Sequence, residues 1–372
     1  MKVLVVFGTR PEAIKMCPLV LCLQKHPEFE TRVCVTGQHR SMLDQVLDIF
    51  GVQPDYDLDI MKTGQTLVSI TTAVLENMGP VLDDFQPDIV LVHGDTTTSM
   101  SAALAAFYRQ IPVGHVEAGL RTYNIYSPFP EEMNRKLITA LSTYFFAPTE
   151  GNRAALAAEG VNRNVFVTGN TVIDAFQYTV RDDYVFRDAT LAAYDWTAGK
   201  TVLMTAHRRE NLGLPLENIC RAVAQLCDEH PDLRFIYPVH LNPAVREPVF
   251  RILGNLPQVH LIDPVDVEDM HNAMMRSWLV LTDSGGLQEE APHFGKPVLV
   301  LRTETERPEA VAAGTAVVVG VEQAEIVRQV DRLLSDAAAY NAMSVAINPY
   351  GDGYASERIV QALHDNFPAV LG

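Results

Sequence analysis

The side chains best suited to proton transfer and anion binding in this 372-residue chain sit just beyond short apolar runs. The first run ends in Gly8-Thr9-Arg10-Pro11-Glu12, with Lys15 shortly after; others end in Gly94-Asp95-Thr96, Glu117-Ala118-Gly119, His207-Arg208-Arg209 and His240-Leu241-Asn242. A further run ends in Asp283-Ser284-Gly285-Gly286, followed by Gln288, Glu289 and Glu290, while Glu131 and Arg135 lie in a proline-rich turn. Carboxylates near cations suit general acid–base work, in which a positioned group takes or gives a proton. Arg10, Lys15 and Arg135 supply positive charge. The small residues Ser284, Gly285 and Gly286 suit a nest of backbone N–H groups for a diphosphate, and a carboxylate just after them, Glu289 or Glu290, can accept from the hydroxyls of a ribose or simply favour the helix dipole.

Each motif also has a plainer reading. Asp95 before three threonines is a good helix N-cap, Glu131 and Arg135 make an i, i+4 surface pair, and Gly-Gly marks many ordinary turns. The plain readings do not explain why Asp95, Glu117 and His207 all fall at strand carboxyl ends, where an open parallel sheet binds its ligands. Other chemistries are disfavoured. The first turn lacks the glycines of a dinucleotide fingerprint, no P-loop occurs, and singly scattered histidines make a poor metal site.

The elements that must carry these groups alternate. β-branched runs of strand length are predicted at 2–7, 31–36, 88–92, 112–116, 144–147 and 165–168, and again at 201–205, 234–238, 259–262, 279–282, 297–301 and 316–319. Ala- and Leu-rich segments of helical period separate them, the pattern of βαβ units. The fold expected is α/β: two Rossmann-like domains, each a mostly parallel six-stranded sheet flanked by helices, with a cleft between them. The domains are placed at 1–170 and 171–355, and the final helix, 356–372, is expected to return to the first.

Composition narrows the partners. Asp plus Glu exceed Lys plus Arg by 46 to 29, a net charge of −17 that repels nucleic acid and anionic membrane surfaces. The five cysteines form no C-x-x-C pair and are odd in number, which fits a reducing cytoplasm. The start, MKVLVVFGTRPE, reads as a first strand and not as a secretion signal, and no stretch has the apolar length of a membrane span.

FGTRPEAIK (7–15), VHGDTTT (92–98), GHVEAGLR (114–121), PFPEEMNR (128–135), TAHRREN (205–211), PVHLNP (238–243), TDSGGLQEEAP (282–292), ERPEA (306–310) and NPYGDGYASERI (348–359) resemble the non-hydrolysing UDP-N-acetylglucosamine 2-epimerases, over essentially the whole chain. The resemblance implies a fold of GT-B type and reversible interconversion of UDP-GlcNAc and UDP-ManNAc, by anti elimination of UDP to 2-acetamidoglucal and re-addition. By matching motif, Asp95, Glu117 and Glu131 are the acid–base carboxylates, and His207 lies near the phosphates and the sugar. Arg10, Lys15 and Arg135 give the first domain's cationic contribution. Ser284, Gly285 and Gly286 form the diphosphate loop, Glu290 is the ribose ligand, Arg307 is a further contact, and the uracil end falls to 264–270, including Met270. No cofactor or metal is implied, and a homodimer is.

Relatives activated by UDP-GlcNAc at a second site suggest Gln38, His39, Arg208 and His240 as its counterparts here. Ser41 and Gly64, however, depart from the Gln and Arg of some regulated members. The competing readings are a GT-B-type UDP-sugar glycosyltransferase, a hydrolysing relative, and a nucleotide-sugar sensor without turnover.

Overall fold

Runs of β-branched and aromatic residues build two parallel sheets. The first contains β1 (Lys2–Phe7), β2 (Glu30–Val35), β3 (Tyr56–Asp57), β4 (Ile89–His93), β5 (Val113–Val116), β6 (Tyr144–Ala147) and β7 (Val165–Val167), in the order β3-β2-β1-β4-β5-β6-β7. The second contains β8 (Lys200–Thr205), β9 (Leu233–Pro238), β10 (Val259–Ile262), β11 (Leu279–Thr282), β12 (Val298–Val300) and β13 (Ala316–Val318), in the order β10-β9-β8-β11-β12-β13. The computed structural model describes residues 1–37, 40–60, 62 and 64–370.

This is the α/β class with two Rossmann-like sheets of the GT-B plan. One strand differs from expectation, since the first sheet has a seventh, Tyr56–Asp57, paired to Cys34 and Val35. Two residues, one of them charged, carry no hydrophobic alternation by which a strand is recognised.

Two compact units result, Met1–Tyr178 with Tyr350–Gly372, and Thr179–Pro349. The seam falls at 178/179 and 349/350 because the segment after residue 170 is bound to the first unit. Asn170 N–H donates to the Tyr350 carbonyl at 2.7 Å, and Asp174 accepts the N–H groups of Ala355 and Ser356 at 3.1 and 2.6 Å. Those two bonds start the helix Ala355–Val370.

Both faces of the first sheet are covered, so its central strands β1 and β4 are almost wholly apolar. Val3, Val5 and Phe7 share a core with Ala13, Met16 and Leu23 of helix Arg10–Gln24 and with Ile359 and Leu363 of the last helix. Leu4 and Val6 face the other way, toward Val74 and Met78 of helix Leu67–Phe85 and Ala102 of helix Thr97–Tyr108. Each buried Val, Leu, Ile, Met or Phe here contributes about 1.5–3 kcal/mol. In the second unit Val202 and Met204 of β8 pack with Ile219 and Val223 of helix Leu214–Glu229.

All five cysteines are buried free thiols, and burial pushes Cys34 up to about 12, which makes it inert. Among the described residues no helix is long and apolar enough to cross a membrane.

Each sheet reverses its winding beside its first strand, at β1/β4 and at β8/β11. Loops leave the carboxyl ends in opposite directions there, which opens space for a ligand.

Candidate active site

The β1/β4 end of the first unit is braced by a buried carboxylate. Glu12 accepts from Gly8 and Thr9 N–H at 3.0 and 2.8 Å, and from the Thr96 and Ser99 hydroxyls at 2.6 and 2.8 Å. Thr9 and Glu12 thereby complete a capping box on helix Arg10–Gln24. Through Thr96 and Ser99 the same carboxylate ties this turn to the start of the helix that follows β4. Gly8 is required at this corner, since a Cβ would lie 2.1 Å from the Thr36 hydroxyl.

The helix N-cap after β4 is Thr96, whose side chain accepts from Ser99 N–H, and not Asp95. Asp95 is thereby left to reach Arg135, accepting from Nε at 2.9 Å and Nη2 at 2.6 Å. Arg135 also donates to Glu132 at 2.8 Å, and Glu132, wholly buried, accepts from Thr122 and Tyr123 N–H at 3.0 and 3.1 Å. The anticipated Glu131–Arg135 pair therefore gives way to an Asp95–Arg135–Glu132 chain. Glu131 is the first residue of helix Glu131–Leu141, half-buried and without an ion-pair partner among the described residues. Arg10 is likewise half-buried, with no hydrogen bond to any described residue.

Glu117 follows β5 with φ +64, a left-handed backbone that turns its carboxylate back over the strand ends. Its Oε2 accepts from Lys15 and, at 2.8 Å, from Asn170, while His93 Nε2 stands 3.7 Å away. Sequence reasoning singled out Lys15 and Glu117 separately. It missed Asn170, and His93 entered only within the VHGDTTT motif. Asp95 and Glu117 thus lie at the ends of neighbouring strands, each held by a cation.

Behind them, buried His115 bonds through Nε2 to the Gly94 carbonyl at 2.8 Å, and Gly94 takes φ +62. Burial pushes this imidazole down from 6.5 to about 3. The unfolded chain therefore binds a proton that the folded chain rejects, and stability is lost as pH falls from 6.5 toward 3. His115→Gln should make unfolding less acid-sensitive by about 1.4 kcal/mol per pH unit in that window. Urea unfolding at a series of pH values measures this, and an unchanged pH slope would refute it.

In the second unit Thr205 and Thr282 bond through their hydroxyls at 2.6 Å and join the ends of β8 and β11. Beyond them Asp283 accepts from His207 N–H, Arg208 N–H and Asn211 Nδ2 at 2.8, 2.8 and 3.0 Å. The His207 ring stacks on His240, centroids 5.3 Å apart. Burial lowers the His207 pKa against the pull of Asp283, and His240 and Arg208 add to the lowering.

Ser284, Gly285 and Gly286 do not form the expected nest. Neither glycine is left-handed, and both open the short helix Gly285–Glu290. Two cations flank the first glycine, since a Cβ on Gly285 would lie 3.7 Å from the Arg208 guanidinium and 3.8 Å from that of Arg307, whereas a Cβ on Gly286 would lie 2.9 Å from a Glu290 carboxylate oxygen. Arg307 is held by Glu289. Glu290 lies 3.5 Å from His271 Nε2, whose other ring nitrogen bonds Thr179 at 2.8 Å. Met270 is not in a loop but in helix Val267–Arg276, half-buried. Of the second-site residues, Arg208 and His240 are neighbours of His207, whereas Gln38 and His39 lie outside the described residues.

Strand-end carboxylates braced by cations in one doubly wound unit, and a histidine beside an arginine-flanked glycine turn in the other, define a GT-B-type α/β protein equipped at both switch points. The glycosyltransferase SnogD of Streptomyces nogalater shares that fold alone, at 14% identity and TM-score 0.63 over 97% of this chain and 99% of its own. The family model described as UDP-N-acetylglucosamine 2-epimerase matches residues 22–364. UDP-N-acetylglucosamine 2-epimerase of Escherichia coli K12 is 57% identical over 373 residues, covering 98% of this chain and 99% of its own. The crystal structure of UDP-GlcNAc 2-epimerase from Neisseria meningitidis bound to UDP-GlcNAc superposes with TM-score 0.91 at 50% identity, covering 98% of this chain and all of that one. This chain belongs to the UDP-N-acetylglucosamine 2-epimerase family.

Proposed function

We propose that this protein reversibly interconverts UDP-GlcNAc and UDP-ManNAc without hydrolysis, through elimination and re-addition of UDP, and that it works as a homodimer. The C2 proton has no adjacent carbonyl to acidify it, so direct deprotonation is too slow. Loss of UDP from C1 with the C1–O electron pair, anti to removal of the C2 proton, forms the C1–C2 double bond of 2-acetamidoglucal. A proton then adds to C2 from the opposite face, and a UDP oxygen closes the bond to C1.

The observation that carries this reading is the pair of strand-end carboxylates, Asp95 and Glu117, each braced by its own cation. Reversible epimerisation needs proton acceptors and donors on two faces of one carbon, and two separately fixed carboxylates supply them. Glu131 is the third acid–base candidate. The departing diphosphate falls to the second unit, where Arg208 and Arg307 flank Gly285 at the start of a short helix, with His207 nearby. Glu290 takes the ribose hydroxyls. Arg10 adds positive charge in the first unit, and 264–270 meets the uracil. Activation by UDP-GlcNAc at a second site falls to Gln38, His39, Arg208 and His240.

Proton NMR of UDP-GlcNAc with the protein in heavy water should show the H2 signal fading and UDP-ManNAc appearing with deuterium at C2. Accumulation of free ManNAc and UDP would identify a hydrolase instead. Bound UDP-GlcNAc that never exchanges H2 would refute epimerisation.

A further inference from the structure

Asp283 is fully buried, and its two oxygens are treated unequally. Oδ2 accepts from three donors, His207 N–H, Arg208 N–H and Asn211 Nδ2. Oδ1 is sealed from solvent and has no hydrogen-bond partner. An unmet carboxylate oxygen in the interior is costly. A donor stands nearby, His207 Nδ1 at 3.9 Å, on a side chain that is 40% exposed and so has room to turn. The three bonds to Oδ2 fix the carboxylate from behind and leave Oδ1 aimed at the ring.

We propose that Asp283 is a positioning residue for His207: its free oxygen takes the Nδ1–H of the ring, which directs Nε2 toward the ligand and stabilises the imidazolium formed when a nucleoside diphosphate binds. This rests on the assignment of UDP to the second unit. The proton balance is simple. The neutral ring carries its hydrogen on Nδ1 and a lone pair on Nε2. A proton from solvent adds to Nε2 as the anion arrives, and Nε2–H then donates to a phosphate oxygen.

The charged and titratable groups facing the ring set the balance. Asp283, after β11, favours the cation; His240, stacked after β9, and Arg208, next in the chain, oppose it. Burial, with His240 and Arg208, favours the neutral ring; an added anion favours the cation as Asp283 does, so removing Asp283 weakens that protonation.

Two measurements test this. In ¹⁵N NMR of the unliganded wild-type protein at alkaline pH, with His207→Gln identifying the resonance, His207 should be the Nδ1–H tautomer; an Nε2–H tautomer overturns the assignment. Calorimetry of UDP binding in buffers of different ionisation enthalpy should give uptake of about half a proton or more per UDP near neutral pH. Asp283→Asn should still bind UDP but lose most of that uptake. Its alkaline limit of kcat/KM should move down by about one pH unit or more. Unchanged uptake and pH limit in Asp283→Asn would overturn the assignment. If Asp283→Asn does not fold, the wild-type tautomer decides. Failure of UDP to bind wild type would instead refute the substrate reading and with it the proton uptake, while the tautomer still judges the Asp283–His207 bond.

Discussion

Glu117→Gln should lower kcat by about 10³-fold while KM changes by no more than a few-fold. The amide keeps the length and planarity of the side chain and can still accept from Lys15 and Asn170, so the left-handed turn at φ +64 has no reason to rearrange. What it loses is the capacity to take a proton. Turnover and H2 exchange in heavy water should fall together, because both need C2 deprotonation. Thermal unfolding separates this from simple collapse, and the midpoint should drop by only a few degrees. Exchange at the wild-type rate would remove Glu117 from the proton-transfer set.

The second large effect is on stability. Glu132→Leu should destabilise the first unit by about 3–5 kcal/mol, the cost of removing one partner of a buried ion pair. Glu132 is wholly buried, and its loss strands the N–H groups of Thr122 and Tyr123 as well as one edge of the Arg135 guanidinium. For a unit of about 200 residues this is a fall in midpoint of roughly 10 °C. Glu132→Gln restores an acceptor but not the charge, and should recover part of the loss. Activity should fall too, since Arg135 also fixes Asp95. A shift below about 1 kcal/mol would mean that water or a neighbouring group replaces the carboxylate.

The strands, their parallel pairing and the placement of reactive groups at their carboxyl ends were legible because β-branched runs and helical periods alternate along the chain. Tyr56–Asp57 was too short to leave such a trace. In the proline-rich turn, two adjacent glutamates open a helix, and only its phase decides which one faces inward. That phase is written in Glu132, Arg135, Ile138 and Thr139, spaced three, three and one apart, all buried. Asn170 meets Glu117 from 53 residues away and His207 meets Asp283 across 76, and no local period records such encounters.

The last helix completes the core that the first strand begins: Ile359, Val360, Leu363 and Phe367 pack with Val3, Val5 and Phe7. During synthesis the N-terminal unit must wait, with an open hydrophobic face, while the 179–349 segment is made, roughly 10–30 s at ordinary elongation rates. The later-encoded unit is thus the first able to finish folding, and the nascent amino-terminal half is the part that most needs shielding by a chaperone.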